Sequence, residues 1–187
     1  MEAFLISTGL VALAEIGDKT QLLALVLAAR FRKPAPIVAG ILIATLLNHA
    51  LAGAAGAWLS HAIAPEAMRW ALGISFIAMA AWMLVPDRVE ERRDTAPRFG
   101  VLATTLVAFF LLEIGDKTQI ATIALAAKYD TFLAVVTGTT LGMMVANVPV
   151  VFLGEVAAKR LSVRIVQRIA AATFFVLGIV VLGSWEY

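Results

Sequence analysis

Long apolar runs separated by short bursts of charge dominate the chain. Six such runs, at residues 4–29, 36–61, 68–85, 99–127, 131–158 and 165–185, approach or exceed the ~20 residues that a helix needs to cross about 30 Å of hydrocarbon. Their ends carry stop signals: Arg30, Arg32, Lys33 and Pro34 after the first, Pro65 beyond the second and Pro86 at the third. Residues 87–98 are rich in charge and read as a solvated linker. The expected fold is an all-α integral membrane protein with six transmembrane helices. Residues 1–86 form a first three-helix unit, 87–98 a cytoplasmic linker and 99–187 a second three-helix unit.

The two units are copies. Glu15-Ile16-Gly17-Asp18-Lys19-Thr20-Gln21 recurs letter for letter as Glu113-Ile114-Gly115-Asp116-Lys117-Thr118-Gln119. Without a gap, Leu27-Ala28-Ala29-Arg30-Phe31 then falls on Leu125-Ala126-Ala127-Lys128-Tyr129, and Gly40 on Gly138. Apolar bias produces weak matches cheaply, but not an identical run this rich in charge, so the chain carries an internal duplication. Three spans per copy is an odd number, so the second copy enters the membrane from the opposite side. That is the inverted repeat of many secondary transporters, which bind substrate at mid-membrane between the copies.

Composition agrees with lipid as the solvent: 61% of residues are hydrophobic, 15% charged, and the mean hydropathy is +0.92. A net charge of +2 and a pI near 9.2 do not make a nucleic-acid binder, because the basic residues form no continuous patch. Eleven of them follow the first, third and fifth runs, while only Arg69 and Lys128 lie on the other side. This bias places both termini on the non-cytoplasmic side of a cell (inner) membrane. Met1-Glu2 runs straight into apolar sequence without a basic region, so a cleaved signal peptide is not expected. The absence of cysteine removes disulfides and thiolate ligands.

The duplicated motif puts ionisable side chains near the centre of an apolar span. Glu15 lies about 16 Å of helix beyond Phe4, and Glu113 matches it. Charges at that depth cost several kcal/mol unless paired or facing water, which by default marks a functional pathway. In a continuous helix Glu15 and Asp18 share a face and Glu15 can pair with Lys19. Gly17 and Gly115 permit close helix approach or a local break that frees carbonyl oxygens. Thr20, Gln21, Thr118 and Gln119 add neutral oxygens. Each motif carries net charge minus one, so two meeting at the centre match one divalent cation. Oxygen ligands suit Ca²⁺, Mg²⁺ and Mn²⁺ over Zn²⁺ or Cu⁺. Once the metal leaves, taking up protons is cheaper than burying bare carboxylates, so metal/proton exchange is expected. Lys19 and Lys117 read as counter-charges. Asn48 and Asn147, offset by one between the copies, could complete the site or bond helix to helix. His49, opposite Asn147 in the alignment, reads as a packing residue. Glu155 and His61 read as interfacial, and Gly53, Gly56, Gly138 and Gly142 as close-packing positions.

The E-x-G-D-K-T motif, present at Glu15–Thr20 and Glu113–Thr118 within two three-span units, resembles the Gdt family of calcium/manganese cation transporters over essentially the whole chain. The resemblance implies that Glu15, Asp18, Glu113 and Asp116 hold the cation, with Thr20, Gln21, Thr118 and Gln119 close by. It also implies Mn²⁺ as the cargo, with Ca²⁺ as the close alternative, as in the short prokaryotic manganese exporters. Taken together, the expected protein is no enzyme and has no prosthetic group. Its partners are the bilayer, a divalent cation and protons, and not nucleic acid. The competing readings are an exporter of small organic cations or amino acids, for which the site is too acidic, and an intramembrane aspartyl hydrolase using Asp18 and Asp116 as a dyad. The plainer alternative, structural ion pairs locking two helices, fits one such motif better than two identical ones.

Overall fold

A computed structural model describes residues 1–85, 100–129, 131–153 and 163–183. Among them the chain forms eight helices and no strand: α1 (Glu2–Glu15), α2 (Lys19–Phe31), α3 (Pro34–Ala62), α4 (Pro65–Met83), α5 (Val101–Glu113), α6 (Lys117–Tyr129), α7 (Phe132–Leu153) and α8 (Val163–Gly183). The linker, Glu155 and the far ends of the last two apolar runs lie outside the described residues.

The first and fourth apolar runs are each broken into two helices, and both breaks fall inside the duplicated motif. α1 ends at Glu15, Ile16 is extended and Gly17 turns left-handed at φ 81° before α2 starts behind Asp18. In the second copy α5 ends at Glu113, Ile114 is extended, Gly115 has φ 76° and α6 starts at Lys117. A left-handed residue costs an L-amino acid about 1–2 kcal/mol, which glycine avoids. Gly115 has open space where a Cβ would stand, so backbone conformation alone requires it. Gly115→Ala is therefore expected to destabilise by about 1–2 kcal/mol, read as a lowered Tm. Gly115→Asn should recover most of that loss, because asparagine tolerates this region.

α3, α7 and Arg164–Gly183 of α8 are long and apolar enough to cross a membrane. Much of their apolar surface is turned outwards. α3 exposes Leu42, Ile43, Leu46, Leu47 and Leu51 while burying Gly40, Ala44, Thr45, Asn48 and Gly53. In water that arrangement would be upside down. In lipid it is favourable, because large side chains meet acyl chains while small and polar ones pack and bond inside. The molecule is a membrane protein.

Each broken helix packs against the long helix of the other copy: α1 on α7, and α5 on α3. The contacts repeat at a spacing of 98 residues. A Cβ on Gly138 would lie 2.7 Å from the Phe4 carbonyl oxygen and 3.0 Å from Ser7 Cβ. One on Gly40 would lie 2.9 Å from the Leu102 carbonyl oxygen and 2.8 Å from Thr105 Cβ. Residues 4 and 7 are the counterparts of 102 and 105. A Cβ on Gly142, one turn beyond Gly138, would lie 2.6 Å from the Thr8 carbonyl oxygen. The Gly-x-x-x-Gly stripe lets two backbones touch and brings both breaks together. α4 packs against α8, with the Phe76 and Phe174 rings in a tilted contact at a centroid distance of 6.2 Å.

Candidate metal centre

Breaking a helix leaves its last carbonyls and next amides without intrahelical partners. Here the motif's own side chains satisfy some of them. Gln21 Oε1 accepts the Gly17 N–H at 2.9 Å and Gln119 Oε1 accepts the Gly115 N–H at 2.8 Å. The Asp18 and Asp116 amides bond back to the Glu15 and Glu113 carbonyls at 3.0 Å each. The far ends of the glutamines reach the opposite copy: Gln21 Nε2 donates to the Ala146 carbonyl, and Gln119 Nε2 to Asn48 Oδ1. Gln21 and Gln119, expected as oxygen donors to a cation, thus use their side-chain oxygens to hold the breaks.

The breaks also set the electrostatics. α1 and α5 end at the two glutamates, presenting partial negative charge, and α2 and α6 start beside the aspartates, presenting partial positive charge. Glu15, Asp18 and Asp116, all buried, each bring one carboxylate oxygen to within 4.8 Å of the others'. Lys19 Nζ lies 2.9 Å from Asp116 Oδ1, and Lys117 Nζ lies 3.7 Å from Asp18 Oδ1. Each motif's lysine therefore answers the other motif's aspartate. The i, i+4 geometry expected for Glu15 and Lys19 does not apply, because no continuous helix runs through them. Likewise Glu15 and Asp18 meet across a turn and not along a shared helix face.

The two glutamates differ. Glu113 accepts from Thr45 Oγ1 at 3.1 Å on one oxygen and from Asn48 Nδ2 at 2.9 Å on the other. It does not join the acidic trio. Glu15 accepts from Asn147 Nδ2 at 3.2 Å on Oε1, while its buried Oε2 has no hydrogen-bond donor among the described residues. Thr118 donates to Asp116 Oδ2 at 3.3 Å, and the buried Thr20 hydroxyl has no partner among the described residues. His49 is fully buried and neither ring nitrogen is hydrogen-bonded among the described residues, in keeping with packing. Nothing in the duplicated motif points to Thr45. It lies three residues before Asn48 on a buried face, and that i, i+3 polar pair was the available signal.

Dense buried carboxylate, with no cysteine in the chain and no histidine in the cluster, suits a hard divalent ion. A broken helix in lipid is where a carrier holds its cargo, and this fold and site define a secondary carrier of divalent cations. The comparisons make the class specific. The family described as "Divalent cation/proton antiporter GDT1" matches residues 3–91 and 101–186, and the chain belongs to that family. It is 46% identical over 180 residues to a Vibrio cholerae protein named "Putative manganese exporter", covering 96% of this chain and 90% of that one. It is 29% identical to a GDT1-like protein of Synechocystis, covering 99% and 97%. It is 24% identical to the divalent cation/proton antiporter GDT1 of Saccharomyces cerevisiae, covering 96% and 82%. No solved structure matches the chain. Membership makes the protein a transporter and not an enzyme, so the hydrolase and organic-cation readings fall.

Proposed function

We propose that this chain exports Mn²⁺ from the cytoplasm in exchange for protons, with Ca²⁺ as a second cargo, through one site shared by two inverted three-span repeats. The observation that carries the reading is the convergence of carboxylates from both motifs, Glu15 and Asp18 from one and Asp116 from the other. A site assembled from both copies can be exposed alternately to either face as one copy rocks against the other. The exchange of helix partners between copies supports the inverted arrangement, with α1–α2 and α5–α6 each acting as one interrupted span. The excess of basic residues beyond the odd-numbered spans favours an orientation with both termini on the non-cytoplasmic side of the cell membrane. The Vibrio relative's name favours Mn²⁺.

In this reading Glu15, Asp18 and Asp116 hold the cation, with Thr20 and Thr118 beside them. Glu113 is held by Thr45 and Asn48. Lys19 and Lys117 balance the aspartates when the cation is absent.

The test is reconstitution in proteoliposomes, with Mn²⁺ and Ca²⁺ fluxes followed with and without an imposed proton gradient. Mn²⁺ flux should follow the gradient and vanish in Asp18→Asn and in Asp116→Asn. Flux that ignores the gradient would remove the proton from the cycle. Full flux in either variant would remove the shared site.

A further inference from the structure

The two motifs are identical, but the helices that face them are not. Thr45 on α3, whose hydroxyl touches Glu113, falls at the 98-residue spacing on Met143 of α7. Met143 is fully buried, and its Sδ lies 3.0 Å from Asn147 Nδ2, the same amide that donates to Glu15 Oε1 at 3.2 Å. That nitrogen also donates to the Met143 carbonyl at 3.1 Å. Where the first copy offers the second copy's glutamate a hydroxyl, the equivalent position of the second copy carries a thioether, joined to Glu15 through the Asn147 amide.

Two buried acceptors at this spot lack any hydrogen-bond donor among the described residues: Glu15 Oε2 and Asn147 Oδ1. The Glu113 side has no such vacancy. Both oxygens of Glu113 accept bonds, and Asn48 Oδ1 accepts from Gln119. The Asn147 amide nitrogen touches both Glu15 and the sulfur, so the carboxylate, the carboxamide and the thioether converge on one spot. Turning the carboxamide about its last bond presents Oδ1 there in place of the N–H donors.

We propose that Met143 and Asn147 complete the cation site from α7, the thioether of Met143 selecting a first-row transition ion such as Mn²⁺ against Ca²⁺ and Mg²⁺. This rests on the transport reading above and adds the residue that sets its specificity. Ca²⁺ and Mg²⁺ take oxygen ligands and gain nothing from sulfur. Mn²⁺ shares their preference for oxygen, but as a first-row transition ion it also accepts a sulfur donor, so one thioether in a carboxylate site weights it towards Mn²⁺ and against Ca²⁺ and Mg²⁺.

The test compares Mn²⁺, Cd²⁺ and Ca²⁺ fluxes through wild type, Met143→Leu and Met143→Gln in proteoliposomes, with X-ray absorption of Cd²⁺ bound to wild type and Met143→Leu. Leucine keeps the volume without sulfur, and glutamine replaces sulfur with a hard oxygen. The preference for Mn²⁺ over Ca²⁺ should fall about tenfold or more in both variants. A packing role alone would lower both fluxes together and leave their ratio unchanged. Because the chain has no cysteine, a sulfur neighbour of bound Cd²⁺ can only be a thioether, and it should disappear in Met143→Leu. The wild-type spectrum decides the question even if a variant does not fold. Divalent flux with an unchanged ratio and no sulfur neighbour would overturn this inference alone. Absence of any divalent flux from folded wild type would overturn the transport reading beneath it.

Discussion

Gly138→Leu combined with Gly142→Leu is expected to leave no folded carrier. Added Cβ atoms would lie 2.7 Å from the Phe4 carbonyl oxygen and 2.6 Å from that of Thr8, and both are backbone atoms that cannot turn aside. Overpacking at one well-packed site costs about 1–3 kcal/mol and sometimes more. Two such sites on one seam remove a large share of the roughly 5–15 kcal/mol by which proteins are stable. The seam also joins α1 to α7 and so sets the place of Glu15 against Asn147. Gly9→Leu is the control, because nothing lies within 4 Å of its added Cβ. Size-exclusion profiles and thermal unfolding in detergent give the readout. A monodisperse double variant with the Tm of wild type would show that α1 and α7 do not meet in this way.

The second large effect separates two residues that the sequence makes identical. Mn²⁺ should raise the Tm of wild type, because a ligand that binds only the folded state stabilises it by mass action, by about 2.7 kcal/mol at one hundred times its Kd. Glu15→Gln should abolish that rise, since it removes one of the three convergent carboxylates. Glu113→Gln should keep most of it, since Glu113 lies outside the trio and is bonded to Thr45 and Asn48. The glutamine of that variant can still accept from one of those donors, so the fold should persist. Equal loss of the Mn²⁺ effect in both variants would mean that the glutamates share the cation evenly.

Much of the architecture was legible in the residues. Among the described residues every helix falls on one of the six apolar runs, with α1–α2 and α5–α6 each sharing a run, and α3, α7 and α8 are long and apolar enough to cross a membrane. The repeat predicted that Gly40 and Gly138 are equivalent, and they close on matching backbone positions. For Gly17 and Gly115, close approach and helix break were both open. Positive φ in each, with vacant space beside Gly115, decides for the break.

What the sequence determined by itself is what depends on local order and solvent: where the apolar runs lie, that the chain is duplicated, which polar groups are too costly to be idle in lipid, and the donor chemistry that suits a hard cation. A run of letters carries those properties because each follows from transfer cost or from spacing along one chain. Only the tertiary structure decided the pairing. Lys19 answers Asp116 and Lys117 answers Asp18 because the breaks face each other across the two copies, an arrangement that no i, i+4 rule contains. Glu15 and Glu113 have identical neighbours in the chain and different neighbours in space, Asn147 with Met143 for one and Asn48 with Thr45 for the other. A buried carboxylate's partners come from the helix packed across from it, so one motif written twice becomes two different sites.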